Sequence, residues 1–294
     1  MIDISASALA AQIFTGLVLG GIFVLLAIGL SLIFGLMTVV NFAHGSLYML
    51  GAYFGFFLLG LTGSFWVALA LAPLLVGVFG LLVERVLVRR LYGRSIDDPL
   101  LLTFGLSLVL VEAVKLVWGK VGLTLDPPRE LGAAVNLGFM TFPVYRLFVI
   151  AVTALVLLVL WLFLERTNVG LVIRAGSRDP LMVRALGVDL GRIWLLVFGI
   201  GTGLAGLAGI LAGPMRGVYA EMGVTIVIES FVVVVVGGMG SLVGAIVAGV
   251  LIGEVVSLTT FVAPQLAEIM VFVVMALVLL VRPSGLFGEA GLLE

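Results

Sequence analysis

Asn41-Phe42-Ala43-His44-Gly45-Ser46-Leu47-Tyr48-Met49-Leu50-Gly51-Ala52-Tyr53-Phe54-Gly55 is the stretch on which the reading of this chain turns. It sets the single histidine, an amide and a hydroxyl at a glycine break between two long apolar runs. In a bilayer, polar side chains and unwound backbone persist only where protein or a watery cavity satisfies them, so such a break marks a pathway or an assembly surface.

The composition around it explains why the bilayer is the relevant solvent. Of 294 residues, 63% are apolar and 11% charged, against about half and about a quarter in soluble globular domains. A net charge of -1 without a basic run gives no footprint for nucleic acid. With no cysteine and one histidine there is neither a disulfide framework nor a zinc or haem ligand set. The opening Met1-Ile2-Asp3-Ile4-Ser5 lacks the basic n-region of a secretory leader, so the first apolar run is expected to remain as a membrane helix.

Membrane helices need about 20 apolar residues. Runs of that kind cover Ala8 to Phe34, Gly45 to Gly60, Phe65 to Val88, Pro99 to Trp118, Val144 to Leu164, Ile193 to Leu211, Val224 to Val236, Leu242 to Thr259 and Leu266 to Val281. The expectation is an all-α polytopic membrane protein, one transmembrane domain over residues 1–294 with eight or nine crossings and broken or re-entrant helices. Val224 to Val236 is short enough to be a half-helix joined through Gly237-Gly238-Met239-Gly240 to the next run. Arg85, Arg89, Arg90 and Arg94 after the third run, and Arg166, Arg174, Arg178, Arg184 and Arg192 after the fifth, place those loops and the C-terminus in the cytoplasm. Nine crossings put the N-terminus outside; eight would put it inside.

His44-Gly45-Ser46-Leu47 is echoed by Met239-Gly240-Ser241-Leu242, each followed by Gly-Ala, as an internal repeat would require. Small residues four apart, at Gly16/Gly20, Gly51/Gly55, Gly199/Gly203, Gly209/Gly213, Gly240/Gly244 and Gly249/Gly253, suit close helix packing.

The cytoplasmic loop 165–192 carries a compact helix signal. Asp179 supplies a cap, Pro180 fits the first helical position, Leu181, Met182, Ala185 and Leu186 form an apolar face, and Gly187 ends the turn. So small an apolar helix has no core of its own, and docks either into a groove of a soluble partner or onto the lipid interface.

The Asn-Phe-Ala-His-Gly segment with Tyr48, Met49, Gly51 and Tyr53, the loop closing on Ala185-Leu186-Gly187-Val188-Asp189, the Gly-Gly-Met-Gly-Ser at Gly237 and the closing Arg282-Pro283-Ser284-Gly285-Leu286-Phe287-Gly288 resemble the LivH-type permeases of branched-chain amino-acid ABC transporters. The resemblance spans nearly the whole chain. It implies a multi-pass subunit of a bacterial or archaeal plasma membrane, paired with a homologous second permease, a heterodimer being favoured. It further implies two cytoplasmic ATPases and an extracytoplasmic amino-acid-binding protein. Arg178, Asp179, Pro180, Leu181, Met182, Arg184, Leu186 and Gly187 would then form the ATPase-coupling element.

The chain has no G-x-x-x-x-G-K-[ST] loop. It is therefore expected to be a transport subunit and not an enzyme, binding no cofactor itself, with ATP and magnesium held by partners. Candidate substrate-pathway residues are Asn41, His44, Ser46, Tyr48, Glu229, Gly238 and Ser241. A packing role for His44 and an outer-mouth or helix-pairing role for Glu229 stand beside that reading. Glu254 and Glu268 are weaker intramembrane carboxylates, and Glu112 with Lys115 should pair on one helix. Urea and short-amide permeases share the same motifs and remain the alternative to Leu/Ile/Val. An ATP-independent secondary transporter or channel would have broken helices too, but no use for a capped cytoplasmic helix.

Overall fold

The computed structural model describes residues 5–95, 97–138 and 140–288. The leaderless start read at Met1 to Ile4 lies outside the described residues. Eleven α-helices are present among them: α1 (Ala6–Met37), α2 (His44–Thr62), α3 (Phe65–Val86), α4 (Asp97–Trp118), α5 (Val144–Arg166), α6 (Asn168–Arg178), α7 (Pro180–Ala185), α8 (Leu190–Arg216), α9 (Met222–Gly237), α10 (Leu242–Val262) and α11 (Ala267–Val281). The strands β1 (Ala134–Asn136) and β2 (Thr141–Pro143) pair antiparallel as a small hairpin.

Helix α1 is apolar all round because it is surrounded by protein. From Gly16 to Leu36 nearly every residue is buried, which is what a helix without a polar face requires. It runs antiparallel to α10. At one end Gln12 donates to the Ser257 carbonyl at 2.5 Å and Ser257 to the Gln12 carbonyl at 2.7 Å. At the other, Gly35 lies against Gly240, where a Cβ would stand 3.1 Å from the facing Cα. Between these ends Gly20 faces Val250 and Gly249 faces Val24 backbone to backbone. The glycine spacing read from the sequence thus becomes a seam where dispersion contacts, and not a hydrophobic drive, hold helices together.

One end of the bundle carries the isolated bridge between Leu123 and Val218 and the β1–β2 hairpin. Lys115 there binds both Glu112 at 3.0 Å, as the spacing predicts, and Glu221 at 2.9 Å. The hydrogen bond from Lys115 holds the Glu221 carboxyl below the usual carboxylate range. The opposite end gathers the arginines after α3 and α5, the charge bias that the positive-inside rule assigns to the cytoplasmic side.

Among the described residues, eight helices are long and apolar enough to span. Helix α9, with 16 residues, is shorter than these. It starts where Gly223 meets Gly45 at the start of α2 and ends where Phe287 donates to the Gly237 carbonyl. Its rise of about 24 Å falls short of a hydrocarbon core of about 30 Å.

One sequence expectation needs correcting. The 165–192 loop is largely helical, with α6 preceding the short α7 helix expected from Asp179. Thr167 caps α6 by accepting from Gly170 N at 3.0 Å, Gly170 sits directly on the backbone of Leu164, and Ile173 is buried. The anchorage to α5 stabilises a helix whose Val169, Gly170 and Val172 signal it only weakly.

Candidate functional site

Residues 38–43 link α1 to α2 without helix, beginning at Thr38 with φ 54, the only non-glycine residue with positive φ among those described. Helix α2 therefore starts at depth. His44 Nε2 lies 3.1 Å from the Leu26 carbonyl, about three turns, roughly 16 Å, above the Met37 end of α1. Ala43 gives α2 no side-chain cap. Instead Thr103 of α4 accepts from Phe42 N at 3.0 Å and lies 3.3 Å from the Val40 carbonyl, serving the unwound backbone from a neighbouring helix.

Asn41, His44, Ser46 and Tyr48 are all buried, at 0 to 2% exposure. Ser46 donates to the Ser107 carbonyl at 3.4 Å. Neither polar atom of the Asn41 amide, nor His44 Nδ1, has a hydrogen-bond partner among the described residues. This is uncommon for buried polar groups. Of the two ring nitrogens of His44, Nε2 has a partner and Nδ1 has none among the described residues.

Above the break Glu229 of α9 meets Arg216, the last residue of α8, at 4.0 Å, and Glu229 Oε2 has no hydrogen bond. Tyr48 lies within electrostatic reach of both members of the pair and of Tyr219. Gly45 makes this proximity feasible, since its Cα surface abuts the backbone of Gly223 at the start of α9. The structure thus brings Tyr48 and Glu229 together with Arg216, which the sequence reading missed, while His44 meets α1 at Leu26 and Ser46 meets α4 at Ser107. Arg216→Gln leaves a carboxylate in the membrane interior without a counter-charge. A loss of about 2 kcal/mol is expected, seen as a fall of several degrees in Tm, with Arg216→Gln/Glu229→Gln recovering most of it. A double variant no more stable than the single one would refute the pairing.

Gly238 and Ser241 lie elsewhere, at the cytoplasmic turn between α9 and α10. Gly238 (φ 101) and Gly240 (φ 81) adopt backbone that favours glycine, and Gly238 packs against Gly288. Ser241 caps α10, accepting from Gly244 N at 3.0 Å.

The predicted coupling residues form one exposed corner. Asp179 accepts from Met182 N at 2.9 Å, Pro180 is in the first turn, and Gly187 closes the helix with φ 83. Leu181, Met182 and Leu186 are 75, 58 and 75% exposed. Val183 turns inward and is buried. Arg184 stacks on Trp194 of α8 at 5.0 Å, and Trp194 meets Tyr92 edge-on at 4.7 Å. The Tyr92 hydroxyl donates to Glu84, a buried carboxylate of α3, at 2.5 Å. Burial and that hydrogen bond push the Tyr92 phenol above its ordinary range, so it stays protonated as the donor. Sequence reasoning missed Glu84, Tyr92 and Trp194; their residue types carry no local sign of this contact chain.

Residues 12–281 match the profile of the branched-chain amino acid transport system, permease component. The chain belongs to that permease family. It is 33% identical over 293 residues to the high-affinity branched-chain amino acid transport system permease protein BraD of Pseudomonas aeruginosa, covering 95% of each chain. It is 30% identical over 293 residues to LivH of Escherichia coli, again 95% of each, and 30% identical to E. coli LivM over 79% of this chain and 60% of LivM. No solved structure matches it. This permease is a multi-pass membrane transport subunit.

Proposed function

We propose that this permease is one of two membrane-spanning subunits of an ATP-driven importer for leucine, isoleucine and valine in a prokaryotic plasma membrane. Two cytoplasmic ATPases, holding ATP and magnesium, would supply the work, and an extracytoplasmic binding protein would deliver substrate. The observation that carries the reading is the α7 corner: a capped helix with three large apolar side chains exposed on the arginine-rich side. An apolar face held out by a rigid cap fits a groove in a partner.

The same corner is built to pass on motion. Val183 packs inward and Arg184 stacks on Trp194, so displacing α7 displaces α8; Trp194, Tyr92 and Glu84 extend the contact to α3. Arg216, Glu229 and Tyr48 near the α2 break would meet the charged ends of an amino acid, while selectivity resides in the binding protein. Similarity to both LivH and LivM supports a heterodimer. Tagging the chain in its native membrane tests the reading. Co-purification of two ATPases and a second permease, with ATP turnover raised by leucine-loaded binding protein, is the expected result. A chain that purifies alone and conducts leucine without ATP in liposomes would overturn it.

A further inference from the structure

The cytoplasmic ends of α1, α5, α6 and α10 enclose a cavity of about 650 Å³, and a second of about 160 Å³ adjoins it across Gly35, Ser177, Arg178, Gly240 and Ser241. Its wall is mostly apolar, with Leu32, Leu36, Leu164 and Ile173 facing inward. The ionisable residues lining it are Arg174 and Arg178. Arg174 is neutralised by Glu165 at 2.6 Å. Arg178 has no ion pair among the described residues.

Two further features point toward an anion. The N-terminus of the 21-residue α10 opens here at Leu242 and Val243; first-turn amides have no acceptor within a helix. Ser31, 1% exposed, also lines the cavity, and its hydroxyl has no hydrogen bond. Other helical hydroxyls of this chain, such as Thr15 and Ser230, bond back to the carbonyl four residues earlier. An unpaired guanidinium, the Leu242 and Val243 amides left over by the Ser241 cap and an unspent hydroxyl at an apolar chamber match an anionic head on an apolar body. No carboxylate lines the cavity, so the ammonium of an amino acid would find no counter-ion. The chamber lies at the arginine-rich end of the bundle.

We propose that this cavity binds the phosphate head of an anionic phospholipid, with Arg178, Ser31 and the α10 amides as its ligands. Basic pockets between membrane helices on the cytoplasmic side have this chemistry. The bound lipid would tie α6, next to the docking helix, to the turn that begins α10.

The test is lipid retention by the full chain in whatever complex it purifies with, read by native mass spectrometry after washing with detergent and re-exposure to phosphatidylglycerol or phosphatidylcholine vesicles. Wild type should retain phosphatidylglycerol in preference to phosphatidylcholine. Arg178→Gln should lower retention about fivefold, Arg178→Lys should restore most of it, and Leu242→Trp, which fills the cavity and leaves the charge, should also lose the lipid. Equal retention by wild type and Arg178→Gln, or no preference between the two lipids, would overturn the proposal. Displacement of the lipid by millimolar leucine would overturn it too, assigning the cavity to the amino acid. The readout does not depend on whether the chain transports anything.

Discussion

Leu186→Glu is expected to abolish ATP-driven uptake while leaving the chain folded and in the membrane. Leu186 is 75% exposed and makes its contribution only to whatever covers α7, so the free permease should tolerate the change within about 0.5 kcal/mol. In the complex, losing a buried leucine costs about 2 kcal/mol, and an unpaired carboxylate in an apolar groove costs several more. At about 1.4 kcal/mol per tenfold, ATPase affinity should fall by at least about 100-fold. Pull-down of the ATPases and substrate-stimulated ATP turnover measure it, with unchanged Tm as the folding control. Asp179→Ala should act in the same direction but more weakly, because it removes one capping hydrogen bond worth about 1 kcal/mol and leaves the apolar face intact. Full ATPase binding by Leu186→Glu would show that α7 docks on lipid or on nothing.

The helices and the α7 cap were legible in the sequence because their causes are local. An apolar run longer than a bilayer, or an Asp-Pro before a two-turn apolar face, needs no knowledge of what packs against it. Helix α6 was not legible. Gly170 reads as a breaker until Leu164 is seen beneath it. The counter-charge of Glu229 was hidden for a related reason: the apolar run read from the sequence stops at Leu211, yet α8 continues through Pro214 to Arg216, and proline in the last turn forfeits a single hydrogen bond. The depth of His44 is tertiary altogether. Its sequence neighbours show a break, but only the meeting of Nε2 with the Leu26 carbonyl shows that α2 begins inside the membrane. Polar residues at such a break could be named in advance; their partners belong to helices distant in sequence, as with Thr103 and Ser107 of α4.

The glycines of α2 provide the sharpest packing test, because one helix carries both a buried and an open example. A Cβ on Gly51 would stand 2.5 Å from the Gly206 Cα of α8, a contact that only backbone movement relieves. The same seam continues at Gly209, which faces the backbone of Tyr48 and Ala52, so α2 and α8 cannot separate at one point without opening the wall behind Tyr48. Gly60, about two and a half turns further along α2, has nothing within 4 Å of its Cβ position. Gly51→Val should therefore cost about 3 kcal/mol or more, the upper part of the overpacking range, a fall of roughly 10 °C in Tm for a chain of this size. Gly60→Val should move Tm by no more than about 2 °C, since valine at an exposed position of a helix differs little from glycine in intrinsic cost. Thermal unfolding of both proteins in the same detergent decides the matter. The comparison separates close packing from the generic preference of membrane helices for glycine: if the two substitutions shift Tm equally, the α2–α8 seam does not exist as described, and the wall that sets Tyr48 beside Arg216 and Glu229 loses its scaffold.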